Sequence, residues 1–243
     1  MSADITPLRR AAEGGSLVQT AMQAVTAYIK DNNLRVGDSL PGEAHFAETL
    51  DVSRAVMREA FGALAALRLI SVANGRKPRV GALDGAVIAA SLEHAVSTAQ
   101  ISVADVWDVR RTIEQRTAAL AATSRTEDEA QRILDLAAAM ERDYEDQATL
   151  TRHDIDFHNT IARASHNALF VQIVASFAPL MEVAVPTAWR TRVAASHKKL
   201  MLDRHQAIAR AIADGDAAAA ATAMAAHFDD AIGDLLRAQA QKP

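Results

Sequence analysis

Apolar residues recur every three or four positions over most of the chain, and only one short region departs from that rhythm. Leu17, Ala21, Ala24, Val25, Tyr28 and Ile29 lie on one helical face, so a helix is predicted over about 17–32, ending at Asp31-Asn32-Asn33. The stretch "LRVGDSLPGE" holds Gly37, Pro41 and Gly42 and reads as a turn-rich connection. A short helix over 43–50 presents Phe46, Ala47 and Leu50 on one side, and Asp51-Val52 turns tightly into a third. Ser53 suits the cap of that third helix, which reaches about Leu67 and buries Val56, Ala60, Phe61 and Leu64. Then "LISVANGRKPRVGAL" reads as a hairpin, Ile70 to Ala73 and Arg79 to Ala82, around Asn74-Gly75.

From about Asp84 the strand signal disappears. Helices are predicted at roughly 84–100, 102–124, 126–147, 149–165, 167–183, 193–213 and 215–238, with breaks at Ser102, Thr126, Asn167, Pro186 and the "DGD" of 214–216. The alanine-rich run "DAAAAATAMAAH" reads as helix rather than linker, because alanine is the best helix former. The expected fold class is therefore mainly α. An N-terminal winged helix-turn-helix occupies residues 1–84 and an all-α helical bundle occupies 85–243.

Charge sharpens the first half of this picture. Net charge is −4, but Arg54 to Arg79 contains six basic residues (Arg54, Arg58, Arg68, Arg76, Lys77, Arg79) against one acidic, Glu59. A basic cluster in a mildly acidic chain is the footprint of phosphate contact. Arg54 and Arg58, four apart, fall on the N-terminal turns of the helix capped by Ser53, the part of a recognition helix that reaches base edges in the major groove. Arginine pairs bidentately with guanine O6 and N7. On the wing, Arg76, Lys77 and Arg79 are placed to meet the phosphate backbone or the minor groove. The plain alternative is a solvated basic face with Glu59 as partner. No stretch approaches about 18 consecutive apolar residues, and the start "MSADITPLRRAAEGG" lacks an apolar signal core. A cytoplasmic protein with no membrane partner is expected.

Composition also narrows the chemistry of the second half. With no cysteine, any metal must be held by nitrogen and oxygen ligands. Seven of the eight histidines lie beyond residue 84: His94, His153, His158, His166, His197, His205 and His227. Asp154 and His158 are four apart and share a helical face. His205 and His227 lie ten residues before and twelve after Gly215, so an antiparallel pair of helices leaves them offset by about 3 Å along the axis. Asp154, His158, His205 and His227 form a candidate divalent-metal site inside a bundle, suited to Zn, Ni, Mn or Fe. Asp156 falls off that face.

With these motifs assembled, the chain resembles the GntR family of bacterial transcription regulators, in its FadR-like branch with a helical FCD domain. The resemblance spans about residues 17–238 and rests on "GDSLPGEAHFAETLDVSRAVMREAFGALAALRLI", "VWDVRRTIEQRTAALAA", "DIDFHNTIARASHN" and "RHQAIARAIADGDAAAAATAMAAHF". It implies a homodimeric repressor that binds a double-stranded DNA operator and responds to a small organic acid effector, with no enzymatic activity. Arg54 and Arg58 match the family's base-reading arginines, and the Asp/His₃ set matches the ligands of its metal-containing members. Arg110 matches an arginine beside the effector carboxylate, with a salt bridge to Glu114 as its plainer role. Asn167 matches the Asn closing the Asp/His motif, with helix capping as its plainer role. Gly42-Glu43-Ala44 departs from the usual Ser-Glu-Arg, so one DNA-contacting arginine is missing and His45 is the candidate substitute. "NGRKPRV" departs from the commoner Gly-Arg-Gly-Thr wing. Two other functions compete: a metal-free regulator sensing an acyl thioester, and a metal-dependent hydrolase using the same ligands to activate water.

Overall fold

A computed structural model describes residues 16–191 and 194–240, with side chains described through 190 and again over 194–232. The chain divides into two compact units, one up to Val87 and the other from Ile88. In the first, α1 (Leu17–Asp31), α2 (Glu43–Leu50) and α3 (Arg54–Ala66) pack around Val25, Leu40, Phe46, Leu50, Met57, Phe61 and Leu64. Here Met57, not the half-buried Val56, fills the core position in α3. Asp51 takes a left-handed conformation (φ 54°) to end α2, and the Ser53 hydroxyl accepts from the Val56 N–H at 3.2 Å to start α3.

The wing differs from the hairpin expected of its sequence. Only β1 (Ile70–Ser71) and β2 (Arg79–Val80) pair, with Ile70 opposite Val80 and Ser71 opposite Arg79. Asn74-Gly75 lies in a longer loop closed by a bond from the Arg76 N–H to the Ala73 carbonyl. Pro78 has no N–H to give a longer ladder. The other edge of β2 is occupied instead by the segment predicted as a plain connection. Gly37 N donates to Val80 O (3.0 Å), Val80 N to Asp38 O (2.9 Å) and Leu40 N to Pro78 O (2.8 Å). Gly81 makes the closest approach: a Cβ there would stand 2.0 Å from the Arg68 carbonyl oxygen.

α4 (Gly85–Ser97) starts just before the boundary at Val87 and runs into the second unit, which also contains α5 (Val103–Ser124), α6 (Glu127–Arg142), α7 (Gln147–Ala164), α8 (Ala168–Ala175), α9 (Ala178–Thr191), α10 (Ala195–Ala213) and α11 (Ala217–Ala240). Capping boxes at Ser102 with Asp105 and at Thr126 with Glu129 start α5 and α6 where expected. The helix expected over 126–147 stops at Arg142, because the Asp146 carboxylate caps the next one through Ala148 N and Thr149 N.

The span 167–183 is not one helix. It bends by 53° between α8 and α9, where the Ser176 hydroxyl donates to the Ile173 carbonyl at 2.6 Å. Pro186 was expected to break the chain but lies inside α9. The carbonyl deprived of its donor belongs to Glu182, an exposed residue open to water, and buried Met181, Ala184, Ala188 and Trp189 hold the helix in place. Among the described residues no single helix is long and apolar enough to cross a membrane.

Gly81→Ala is expected to destabilise the first unit by about 1–3 kcal/mol through the backbone clash at Arg68. Urea denaturation checks this. A native-like midpoint would show that the wing shifts without cost.

Candidate metal centre and nucleic-acid face

The second unit brings four helices to one point. α5 packs on α7 and α11, and α10 packs on α11. Gly215 (φ 77°) makes the tight turn between α10 and α11 that sets His205 beside His227. Their ring centroids are 4.5 Å apart, and His158 from α7 lies 5.2 Å from His227 and 6.1 Å from His205. One ring nitrogen from each of the three falls within 4.8 Å of the others, and all three residues are buried. Asp154, one turn before His158, also points into the core and puts Oδ1 3.1 Å from His205 Nε2. The compact nitrogen group is thus the three histidines, and Asp154 meets it through His205.

Hydrogen bonds fix how the rings face. His205 Nδ1 donates to the Met201 carbonyl at 2.9 Å, an oxygen that can only accept, so Nε2 of a neutral His205 carries a lone pair. That lone pair faces the Asp154 carboxylate, an arrangement relieved by a cation between them. His158 Nδ1 bonds to Glu114, leaving its Nε2 without a hydrogen-bond partner among the described residues; His227 Nδ1 is likewise unpartnered. Two orphaned buried imidazole nitrogens, a third aimed at a carboxylate, and a carboxylate holding one ring in place are what a divalent cation requires. The residues fit a metal.

The electrostatics agree. Burial pushes the Asp154 carboxyl up, but His205 Nε2, 3.1 Å away, and the surrounding imidazoles outweigh it and hold the group below its usual range. Burial, reinforced by the rings of His205 and His158, holds His227 well below its ordinary value and keeps it neutral, the form that binds metals. Glu114 is also pushed up by burial, and Arg110 and His158 reverse this, so it stays ionised.

Glu114 is the functional residue that sequence reasoning treated only as a partner for Arg110. It accepts from Arg110 Nε at 2.8 Å with one oxygen and bonds His158 with the other. Arg110 makes the salt bridge considered for it and also borders a cavity. It pairs with Glu114, its Nη1 reaches Met181 Sδ, and it lines a cavity of about 30 Å³ with Trp107, Asp154, His158 and His227. Val185 and Ala188 of α9 form part of the apolar wall.

Asn167 does not line this cavity. Its side chain accepts from Leu169 N and Phe170 N and caps α8 on an exposed turn. Asp156 is exposed and lines a separate cleft with Glu129 and Arg163. His153 pairs with Asp143, His166 with Glu129, and His94 and His197 are exposed.

In the first unit Arg54 and Arg58 are exposed on the first turns of α3. Arg58 Nε is 3.9 Å from Glu43 rather than paired with Glu59, and its side chain is 79% exposed, a weak contact that leaves it available. His45 is exposed on α2 with its ring edge-on to Phe46. Arg76 and Lys77 are exposed on the wing loop. Arg79 is exposed too, but one of its Nη atoms donates to the Gly37 carbonyl at 2.6 Å, so it braces the wing as well as charging it.

A winged helix-turn-helix joined to a helical bundle with a buried histidine cluster defines a DNA-binding regulator with a sensory domain. Residues 17–80 match the bacterial regulatory proteins of the gntR family, and residues 105–230 match the FCD domain. The chain is 31% identical over 205 residues to the HTH-type transcriptional regulator LutR of Bacillus subtilis (strain 168), covering 82% of this chain and 92% of that protein. It is 31% identical over 198 residues to the Glc operon transcriptional activator of Escherichia coli (strain K12), covering 79% and 77% respectively. A solved structure, Streptococcus agalactiae GntR, shares the fold with a TM-score of 0.61 at 23% identity, over 88% of this chain and 97% of that one. The chain belongs to the GntR family, in its FCD-containing branch. It is a transcriptional regulator and not the hydrolase that its ligand set also allowed.

Glu114→Ala is expected to weaken metal binding by about 10–100-fold, because His158 loses the group that orients it. Competition against a metallochromic chelator measures this. Wild-type affinity in the variant would mean that the ring needs no such support.

Proposed function

We propose that the protein is a homodimeric, metal-dependent repressor whose operator affinity is set by a small monocarboxylate. Arg54 and Arg58 read base edges, Ser53 and His45 flank them, and Arg76, Lys77 and Arg79 meet phosphates. His158, His205, His227 and Asp154 hold a divalent cation. Bound there, that cation supplies a Lewis-acidic position for a ligand oxygen, and Arg110 supplies a cation beside it. Zn, Ni, Mn and Fe all suit an Asp/His₃ set.

The observation that carries this reading is the set of inward-facing, unsatisfied imidazole nitrogens. Charge selects the ligand. Asp154 and Glu114 contribute two negative charges, Arg110 one positive and the metal two, and an imidazole that gives a lone pair to a metal adds none. The buried site is then left one charge positive, which a single carboxylate neutralises. The cavity of about 30 Å³ favours a compact acid over an acyl thioester. A ligand shifts operator affinity only if it binds the two dimer arrangements unequally.

Protein purified without chelator should carry close to one divalent ion per chain by elemental analysis, and a metal-free protein overturns the sensory reading. In gel shifts with the native upstream DNA, the Arg54→Ala, Arg58→Ala double variant should lose specific binding, each arginine contributing about 1–3 kcal/mol. Retained specificity would remove the recognition-helix assignment. A reporter gene whose transcription rises when the acid is added marks a repressor; a fall reverses that assignment. Sedimentation of the operator complex should give two chains per site.

A further inference from the structure

A third buried nitrogen at this site lacks a hydrogen-bond partner among the described residues: Trp107 Nε1. The two orphaned imidazole nitrogens can offer lone pairs to a cation. An indole N–H cannot, because it only donates. Trp107 is 6% exposed and lines the same cavity as Arg110, Asp154, His158 and His227. Its ring is held on two sides, with the Arg110 guanidinium 5.0 Å from its centroid and Phe228 packed near edge-on at 6.3 Å. A fixed, buried donor left unmatched beside a ligand cavity is costly unless an acceptor arrives with the ligand.

We infer that Trp107 is a specificity-determining residue whose indole N–H donates to a second oxygen of the effector, one outside the carboxylate group. The inference rests on the carboxylate reading above and extends it. That second oxygen is neutral, since one carboxylate already balances the site and another would leave a buried negative charge. The effector class is therefore a short monocarboxylic acid with a hydroxyl or carbonyl group. A site that hydrogen-bonds a ligand oxygen rejects the analogue lacking it.

The test uses Trp107→Phe, which retains an aromatic ring beneath Arg110 and removes the N–H. Full-length, metal-loaded protein of confirmed metal content is titrated calorimetrically with propanoate, 2-hydroxypropanoate, 3-hydroxypropanoate and malonate. Wild type should bind one hydroxy acid about tenfold or more tighter than propanoate, with malonate weaker. Trp107→Phe should lose about tenfold for that hydroxy acid only, with propanoate affinity and metal content unchanged.

An undiminished preference in the variant overturns the role of Trp107 while leaving the carboxylate reading intact. Wild type that binds none of the acids overturns the carboxylate reading and this inference with it. If the variant does not fold, ¹⁵N-labelled wild type gives the same answer, because the chain has only 2 tryptophans and hence two indole N–H signals. The Trp107 signal should move downfield with the hydroxy acid and not with propanoate; an unmoved signal sinks the proposal.

Discussion

The carboxylate of Glu114, sealed in the bundle between a guanidinium and an imidazole, is the interaction on which the sensory half depends. Alone, a buried charge of this kind would be protonated or would disrupt the fold. Held by Arg110 on one oxygen and His158 on the other, it stays ionised and turns the His158 ring so that Nε2 faces His227 and His205. The same contact anchors Arg110 at the edge of the cavity, over Trp107 and Phe228. One side chain thus aligns an imidazole on α7 and a guanidinium on α5, and the two sides of the cavity are set together.

Around this ion pair, each of the four helices supplies its part through local chemistry. The capping box at Ser102 sets where α5 begins and so which α5 residues face inward. The Asp146 cap does the same for α7, placing Asp154 and His158 on the inward face. The Gly215 turn brings His205 and His227 level across α10 and α11. Ion pairs of Arg111 with Asp229 and Arg204 with Asp230 run along the outside of α11, where exposure makes them modest contributors. The position of the rings comes mainly from packed apolar residues such as Phe157, Ile208, Ile212, Met224 and Phe228.

Much of this was legible in the sequence because it is local and periodic. The helix starts at Leu17, Glu43 and Arg54, the Ser53 cap, and the convergence of Asp154, His158, His205 and His227 all follow from spacing and turn chemistry. What escaped was non-local. Pairing of residues 37–40 with β2 joins chain segments some forty residues apart, and no periodicity announces it. Glu114 looked like the ordinary i, i+4 partner of Arg110, and its contact with His158, 44 residues away, leaves no trace in either segment. Pro186 misled because an exposed carbonyl and a buried flank let a helix tolerate proline, while the real bend at Ser176 sits in an apolar run just before Pro179, which occupies the first turn of α9. Asn167 matched a family position, yet its side chain is consumed by capping α8.

The bend between α8 and α9 separates two jobs. The clustered histidines lie on α7, α10 and α11, whereas Val185 and Ala188 of the cavity wall lie on α9, which contributes none of them. Selection can therefore reshape the chamber by exchanging aliphatic side chains on one helix while the coordinating cage stays untouched. Such a layout keeps the shape of the chamber independent of the position of the three rings.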